Sequence, residues 1–234
     1  DSQSGMRLTF EELNKRCNQL ANSLVKSGVN PGDRVALALM NSAEFLEAYF
    51  AIAKIGGVVV PLNWRLVADE LEFILKDSGS TTLIFGEEFN DIFQELHSRD
   101  RKTNVDTWIQ VSDSRNDLTF SEDYVLFRDA GEETEPPIGA EEDDLLYIMY
   151  TSGTTSNPKG IIFNQTNIII KRFARALALP KINSQDVFLC YLPLFHTFGR
   201  YFELMGSIFW GATYVFSQAP SFNSILKDFK LYNP

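Results

Sequence analysis

Cysteine is scarce in this sequence. Its 234 residues hold two, Cys17 and Cys190, far apart along the chain. Both sit in apolar-patterned segments, so buried free thiols are expected in preference to a bridge. No apolar run approaches the ~20 residues that span a bilayer, and no signal-peptide pattern opens the chain. A cytoplasmic or matrix-like setting is the expectation. Positive charge is in deficit: 21 Lys and Arg face 31 Asp and Glu, for a formal net charge of −10. That balance argues against binding nucleic acid or an anionic membrane through a general basic field. A local cationic site for a phosphate stays open, because one lysine in a donor-rich pocket needs no basic protein. Repeats and low-complexity tracts are also missing.

What remains is an ordinary globular composition, 44% hydrophobic and 22% charged, long enough to bury a sizeable core. Helical and extended patterns alternate. "LTFEELNKRCNQLANSLVKSG" reads as an amphipathic helix. Thr9 and Glu12 fit a capping box, Leu13, Cys17, Leu20 and Leu24 form its stripe, and Gly28 stops it. A strand in "PGDRVALALM", a helix in "SAEFLEAYFAIAKIGG", the strand "VVVPLN", the helix "VADELEFILKDSG" and the strand "TTLIFG" follow. The alternation resumes with the strand "DLLYIMYT", the helix "QTNIIIKRFARALAL", the strand "DVFLCYLP", the helix "RYFELMGSIFWG", the strand "ATYVFS" and the helix "SFNSILKDF". This order predicts an α/β fold: an open, largely parallel sheet with helices on both faces and right-handed crossovers. The expected organisation is a first α/β portion over 1–127, an acidic solvated linker over 128–144, and a second α/β portion over 145–234. Asp1 is no initiator and "KLYNP" closes no element, so the chain reads as a piece of something longer.

"YTSGTTSNPKG", from Tyr150 to Gly160, carries the chemistry. It leaves an apolar strand and leads into further apolar patterning at Ile161, so it is expected to join two buried stretches. In an open parallel sheet the carboxyl end of a strand is where ligands bind. Gly153 permits close backbone approach, so successive N–H groups can curl round an anion. Thr151, Ser152, Thr154 and Thr155 add hydroxyls, and Lys159 adds a compact charge suited to polyphosphate oxygens. The loop is not a Walker A motif, since Pro158 precedes Lys159 and Gly160 follows it. Nor does it contain a dinucleotide G-x-G-x-x-G.

The ordered string resembles the phosphate-binding signature of the adenylate-forming (AMP-binding) superfamily. That superfamily comprises acyl-CoA synthetases, coumarate and benzoate ligases, beetle luciferases and peptide-synthetase adenylation domains. Ser156 stands where the usual pattern has glycine, a variation that also occurs among acyl-CoA ligases. Asn164-Gln165 stands where many members have Thr-His, a departure that leaves the phosphate loop intact. "LTFEELNKRCNQLANSL", "AIAKIGGVVVPLN" and "YLPLFHTFG" resemble three further family motifs in order and spacing, so the likeness runs along nearly the whole chain.

The resemblance implies activation of a carboxylic acid. Its oxygen attacks the α-phosphorus of ATP, pyrophosphate leaves, and the acyl-adenylate passes its acyl group to coenzyme A. Thr151, Ser152, Gly153, Thr154, Thr155 and Lys159 carry over as the loop for the β- and γ-phosphates, and Thr151 also as a partner of Mg²⁺. His196 carries over as an aromatic gate beside the reacting carboxylate. A neutral imidazole there can donate to a carboxylate while its face packs the acyl chain. Phe195, Phe198, Tyr201 and Phe202 cluster with it in sequence. "FHTFG" offers no Asp for an amino group, so an acyl or aryl acid is expected rather than an amino acid. Trp64 and Arg65, like Asp33 and Arg34, read as structural. The likeness stops about midway through the family's large domain, without the metal-binding glutamate, the ribose-binding aspartate or the small domain. The chain alone is therefore expected to be inactive. Three alternatives stay open: a nucleotide-binding or interaction module without catalysis, a phosphotransferase, and a ligase whose acceptor is a carrier-protein thiol or, as in luciferase, oxygen. The sequence leaves the oligomeric state open.

Overall fold

The computed structural model describes residues 5–99, 103–113, 118–137, 139–151, 157–178, 182–196, 199, 205–217 and 221–234. The chain divides into two compact units. The larger comprises Thr9–Leu39 and Leu46–Gln165; the smaller comprises Asp1–Leu8, Met40–Phe45 and Thr166–Pro234.

The larger unit begins with helix α1, Phe10–Lys26. Its first turn is closed by the expected capping box. The Thr9 N–H donates to Glu12 Oε2 at 2.7 Å, and the Glu12 N–H donates to Thr9 Oγ1 at 3.1 Å. Two otherwise orphaned donors are thereby satisfied at once. Cys17, Leu20 and Leu24 of the apolar stripe are buried, and Gly28 takes a φ of 102° to leave the helix.

β1 (Arg34–Ala38), α2 (Ala43–Lys54), β2 (Val58–Pro61), α3 (Ala68–Ser78) and β3 (Thr82–Gly86) follow in turn. Next come α4 (Asn90–Ser98), β4 (Thr107–Val111), β5 (Glu122–Asp123), α5 (Tyr124–Asp129), β6 (Leu145–Thr151) and β7 (Lys159–Asn164). The sheet order is β5-β4-β3-β1-β2-β6-β7, with every neighbouring pair parallel except β6 and β7. β2 and β3 are wholly buried, as are the last four residues of β1. Such near-continuous apolar runs suit strands covered from both sides.

Chain direction explains the cover. The step from β1 to β2 moves one way across the sheet, and the step from β2 to β3 returns past β1. Right-handed crossovers then put α2 on one face and α3 and α4 on the other. On the second face Leu71, Ile74 and Leu75 of α3 and Phe93 and Leu96 of α4 pack with Leu83, Phe85 and Trp108. The Phe85 and Phe93 rings lie 5.0 Å apart. Each such side chain contributes about 1.5–3 kcal/mol by leaving water. Arg34 closes this layer, donating from Nε to the Ser78 carbonyl (2.7 Å) and from one terminal nitrogen to the Gly79 carbonyl (2.9 Å) at the end of α3. Arg65 stacks its guanidinium 4.6 Å from the Trp64 ring centre.

β7 corrects the expectation of two buried stretches flanking the loop. It is an antiparallel edge strand whose first four residues are exposed, Ile162 at 61%. The sequence could not reveal this, because an apolar run leaves open which side of a sheet edge faces water.

The acidic segment after α5 is held to α1 by side chains. Asn18 Nδ2 donates to the Glu133 carbonyl at 2.8 Å, and Asn22 Nδ2 donates to the Glu132 and Thr134 carbonyls at 2.9 Å each. A side chain at Gly131 would collide with the Gln19 carbonyl, so only glycine permits this approach. The Lys54 ammonium and the amides of Asn14 and Asn18 hold the Glu135 carboxyl at about 2, below its ordinary 4.5. A depressed folded-state pKa gives stability that is present above pH 4.5 and lost as pH falls towards 2. Because this side chain is 61% exposed, water screens the pair, and the contribution stays within the ~0–1 kcal/mol of surface pairs. Urea unfolding of wild type and Glu135→Gln should therefore converge as pH drops from 5 to 3. A constant difference would remove Glu135 as the titrating group.

Both cysteines are free and buried. Burial first, then the nearby Glu47 carboxylate, push the Cys17 thiol up to about 12.

The smaller unit contains α6 (Gln165–Ala178, its first residue belonging to the larger unit), β8 (Val187–Cys190), α7 (Met205–Trp210), β9 (Thr213–Phe216) and α8 (Phe222–Tyr232). β8 and β9 pair in parallel. No helix of the described residues is long and apolar enough to cross a membrane.

Candidate active site

β6 runs parallel to β2, so its last residue, Thr151, stands at the carboxyl edge of the parallel sheet. β7 returns antiparallel from the same edge, starting at Lys159. Thr151 and Lys159 are direct cross-strand partners, a relation that sets their Cα atoms about 5 Å apart with both side chains on one face. Both residues are exposed. Among the described residues no carboxylate pairs with Lys159. An alcohol and an uncommitted ammonium side by side at a strand exit suit an anionic oxygen ligand. Ser152, Gly153, Thr154 and Thr155, the remaining residues expected in the loop, lie outside the described residues.

Tyr150 anchors the base of this hairpin. Its hydroxyl donates to Asp77 Oδ2 on α3 at 2.7 Å, and burial together with that carboxylate raises the phenol's pKa. Gly160, opposite Tyr150, leaves room for the ring: a Cβ there would come within 3.2 Å of it. The Asp77–Tyr150 contact escaped sequence reading because its partners are 73 positions apart.

Among the described residues no group of three or more His, Cys, Asp or Glu could hold a metal ion. Thr151 offers one oxygen, and Mg²⁺ demands near-octahedral coordination. The described residues do not by themselves form a magnesium site.

His196 belongs to the smaller unit. It follows β8 by way of a turn in which its N–H donates to the Pro193 carbonyl at 3.0 Å. Its side chain is exposed, whereas Leu194, two residues earlier, is 1% exposed. Asn41 bonds this turn from both ends of its side-chain amide: Nδ2 donates to the Leu192 carbonyl, and Oδ1 accepts from the Leu194 N–H, each at 2.9 Å. Phe195 is half-buried. Phe198, Tyr201 and Phe202 lie outside the described residues.

A hydroxyl and a lysine thus share the mouth of a hairpin at the carboxyl edge of a mostly parallel α/β sheet, the edge at which such sheets bind ligands. The chain belongs to the AMP-binding enzyme family, whose profile matches residues 2–234. It is 35% identical over 192 residues to the long-chain-fatty-acid–CoA ligase FadD13 of Mycobacterium tuberculosis, covering 82% of this chain and 36% of that protein. It is 31% identical over 222 residues to a crotonobetaine/carnitine–CoA ligase of Escherichia coli, covering 92% and 42%. Among solved structures, the N-terminal domain of FACL13 from Mycobacterium tuberculosis superposes with a TM-score of 0.87 at 28% identity, over 97% of this chain and 55% of that one. The anthranilate CoA ligase AuaEII, solved with anthranoyl-AMP, shares the fold with a TM-score of 0.91 at 23% identity, over 98% and 44%. This chain thus spans well under half the length of the curated relatives it matches.

Proposed function

We propose that this chain is the amino-terminal portion of a longer AMP-forming acyl-CoA ligase of the cytoplasm, acting on an acyl or aryl carboxylic acid. The observation that carries the reading is the Thr151–Lys159 pair at the mouth of the β6–β7 hairpin, in a chain whose curated relatives are CoA ligases. In this reading Thr151, Ser152, Gly153, Thr154 and Thr155 donate to the β- and γ-phosphate oxygens of ATP. Lys159 offsets the charge that builds as the acid's oxygen attacks the α-phosphorus and pyrophosphate departs. Donors already fixed in place stabilise that charge better than water, because they need little reorganisation. Mg²⁺, with Thr151 as one oxygen ligand, would supply further neutralisation. His196 donates to the acid's carboxylate and borders its acyl group. Coenzyme A then takes the acyl group and AMP is released.

The test is exchange of labelled pyrophosphate into ATP by the full-length protein, across a panel of aliphatic and aryl acids. Acid-dependent exchange with AMP as the nucleotide product is expected, and the 234-residue chain alone should give none. No exchange with any acid would remove the reading, and ADP in place of AMP would favour plain phosphotransfer.

A further inference from the structure

Resting on that ligase reading, we propose that Asn41 is a positioning residue for His196, holding the turn that presents the imidazole to the acid. Asn41 lies between β1 and α2, just before Ser42, whose Oγ accepts from the Phe45 N–H at 3.2 Å. Its side chain does not join that cap. Oδ1 accepts from the Leu194 N–H at 2.9 Å, and Nδ2 donates to the Leu192 carbonyl at 2.9 Å, with Cys190 Sγ at 3.3 Å. Asn41 is 8% exposed and Leu194 is 1% exposed, so these bonds have little competition from water.

The primary amide thus acts as a short piece of neighbouring strand, offering one acceptor and one donor to the backbone just beyond β8. Pro193 sits between the two bonded residues and has no N–H of its own. Without Asn41, a buried N–H and a carbonyl in the same turn lose these partners. The next bond along the chain joins the His196 N–H to the Pro193 carbonyl, so the amide fixes the base on which His196 stands. Asp would retain the acceptor and lose the donor; Leu would lose both.

The experiment compares Asn41→Ala, Asn41→Asp and His196→Ala in the full-length protein. In Asn41→Ala, kcat/KM for the acid is expected to fall about 10- to 100-fold, as for a misplaced reacting group. The KM for ATP should stay within about twofold. In a His196→Ala background the same substitution should change kcat/KM for the acid by less than about twofold, because residues acting as one unit are not additive. Hydrogen exchange at the Leu194 amide should be fast in Asn41→Ala and slow in Asn41→Asp, which keeps the acceptor. Asn41→Asp should show an intermediate kinetic loss, and it carries the comparison should Asn41→Ala fail to fold.

The proposal is overturned if Asn41 variants lower thermal stability yet leave kcat/KM for the acid unchanged. Losses that multiply with that of His196→Ala, or that fall equally on ATP, overturn it too. Failure of the ligase reading itself is distinguishable: the wild type would then show no acid-dependent exchange, while Leu194 protection would still report the clamp.

Discussion

Lys159→Ala in the full-length protein is expected to lower acid-dependent pyrophosphate exchange by about 10²–10³-fold, the loss typical of removing one preorganised donor from a developing anion. Fold stability should change little. Lys159 is exposed at the first position of an edge strand and has no ion pair among the described residues. Lys159→Arg keeps the charge but spreads it over a planar fork, so it should recover only part of the rate. A collapse of the fold in Lys159→Ala, seen by circular dichroism, would mean that this lysine serves structure. Unchanged exchange would mean that the hairpin mouth is not where ATP is held.

Glu47→Ala should produce the largest loss of stability. Glu47, on α2, is 0% exposed. Its Oε1 accepts from Arg16 on α1 at 3.2 Å, and its Oε2 accepts from the Tyr124 hydroxyl at 2.8 Å and from Arg128 on α5 at 3.2 Å. One carboxylate therefore ties three helices together. Its removal takes a buried carboxylate acceptor from two guanidinium groups, one of them largely buried and bonded otherwise to Asp129, and from a buried hydroxyl. Removing one partner of a buried pair costs about 3–5 kcal/mol, which for a chain of this size lowers Tm by roughly 6–20 °C. Urea unfolding of the protein measures it. A loss below about 1 kcal/mol, the range of surface pairs, would show that water reaches the site.

Features set by neighbours in sequence were legible in advance. The Thr9–Glu12 box lies within one helical turn, and "VVVP" and "TLIF" are short apolar runs between helical patterns, so α1, β2 and β3 follow from local rules. The parallel sheet follows from their alternation. Of the loop, the sequence shows composition alone, hydroxyls, glycine and one lysine after an apolar strand; the cross-strand pairing of Thr151 with Lys159 needed the structure. β7 was not legible as a strand: Ile161, Ile162 and Phe163 are a short apolar run, cut off from Ile168 by the polar residues Asn164 to Asn167, and so short a run carries no clear period. Residues 87–127 were left unassigned, yet they hold α4, β4, β5 and most of α5. Long-range polar partners were out of reach altogether. Glu47 meets residues 31, 77 and 81 positions away, and Asn41 meets residues 151 and 153 positions away. No periodicity encodes such pairs; they exist only once the crossovers have brought the helices and strand ends together.

The bonds from Asn18 and Asn22 to the acidic segment span 110 to 115 positions. On the ribosome, α1 must therefore wait for its outer partners during about 5–20 s of translation at ordinary elongation rates. Throughout that interval the nascent helix can rely only on its own capping and on whatever strands have already emerged beside it.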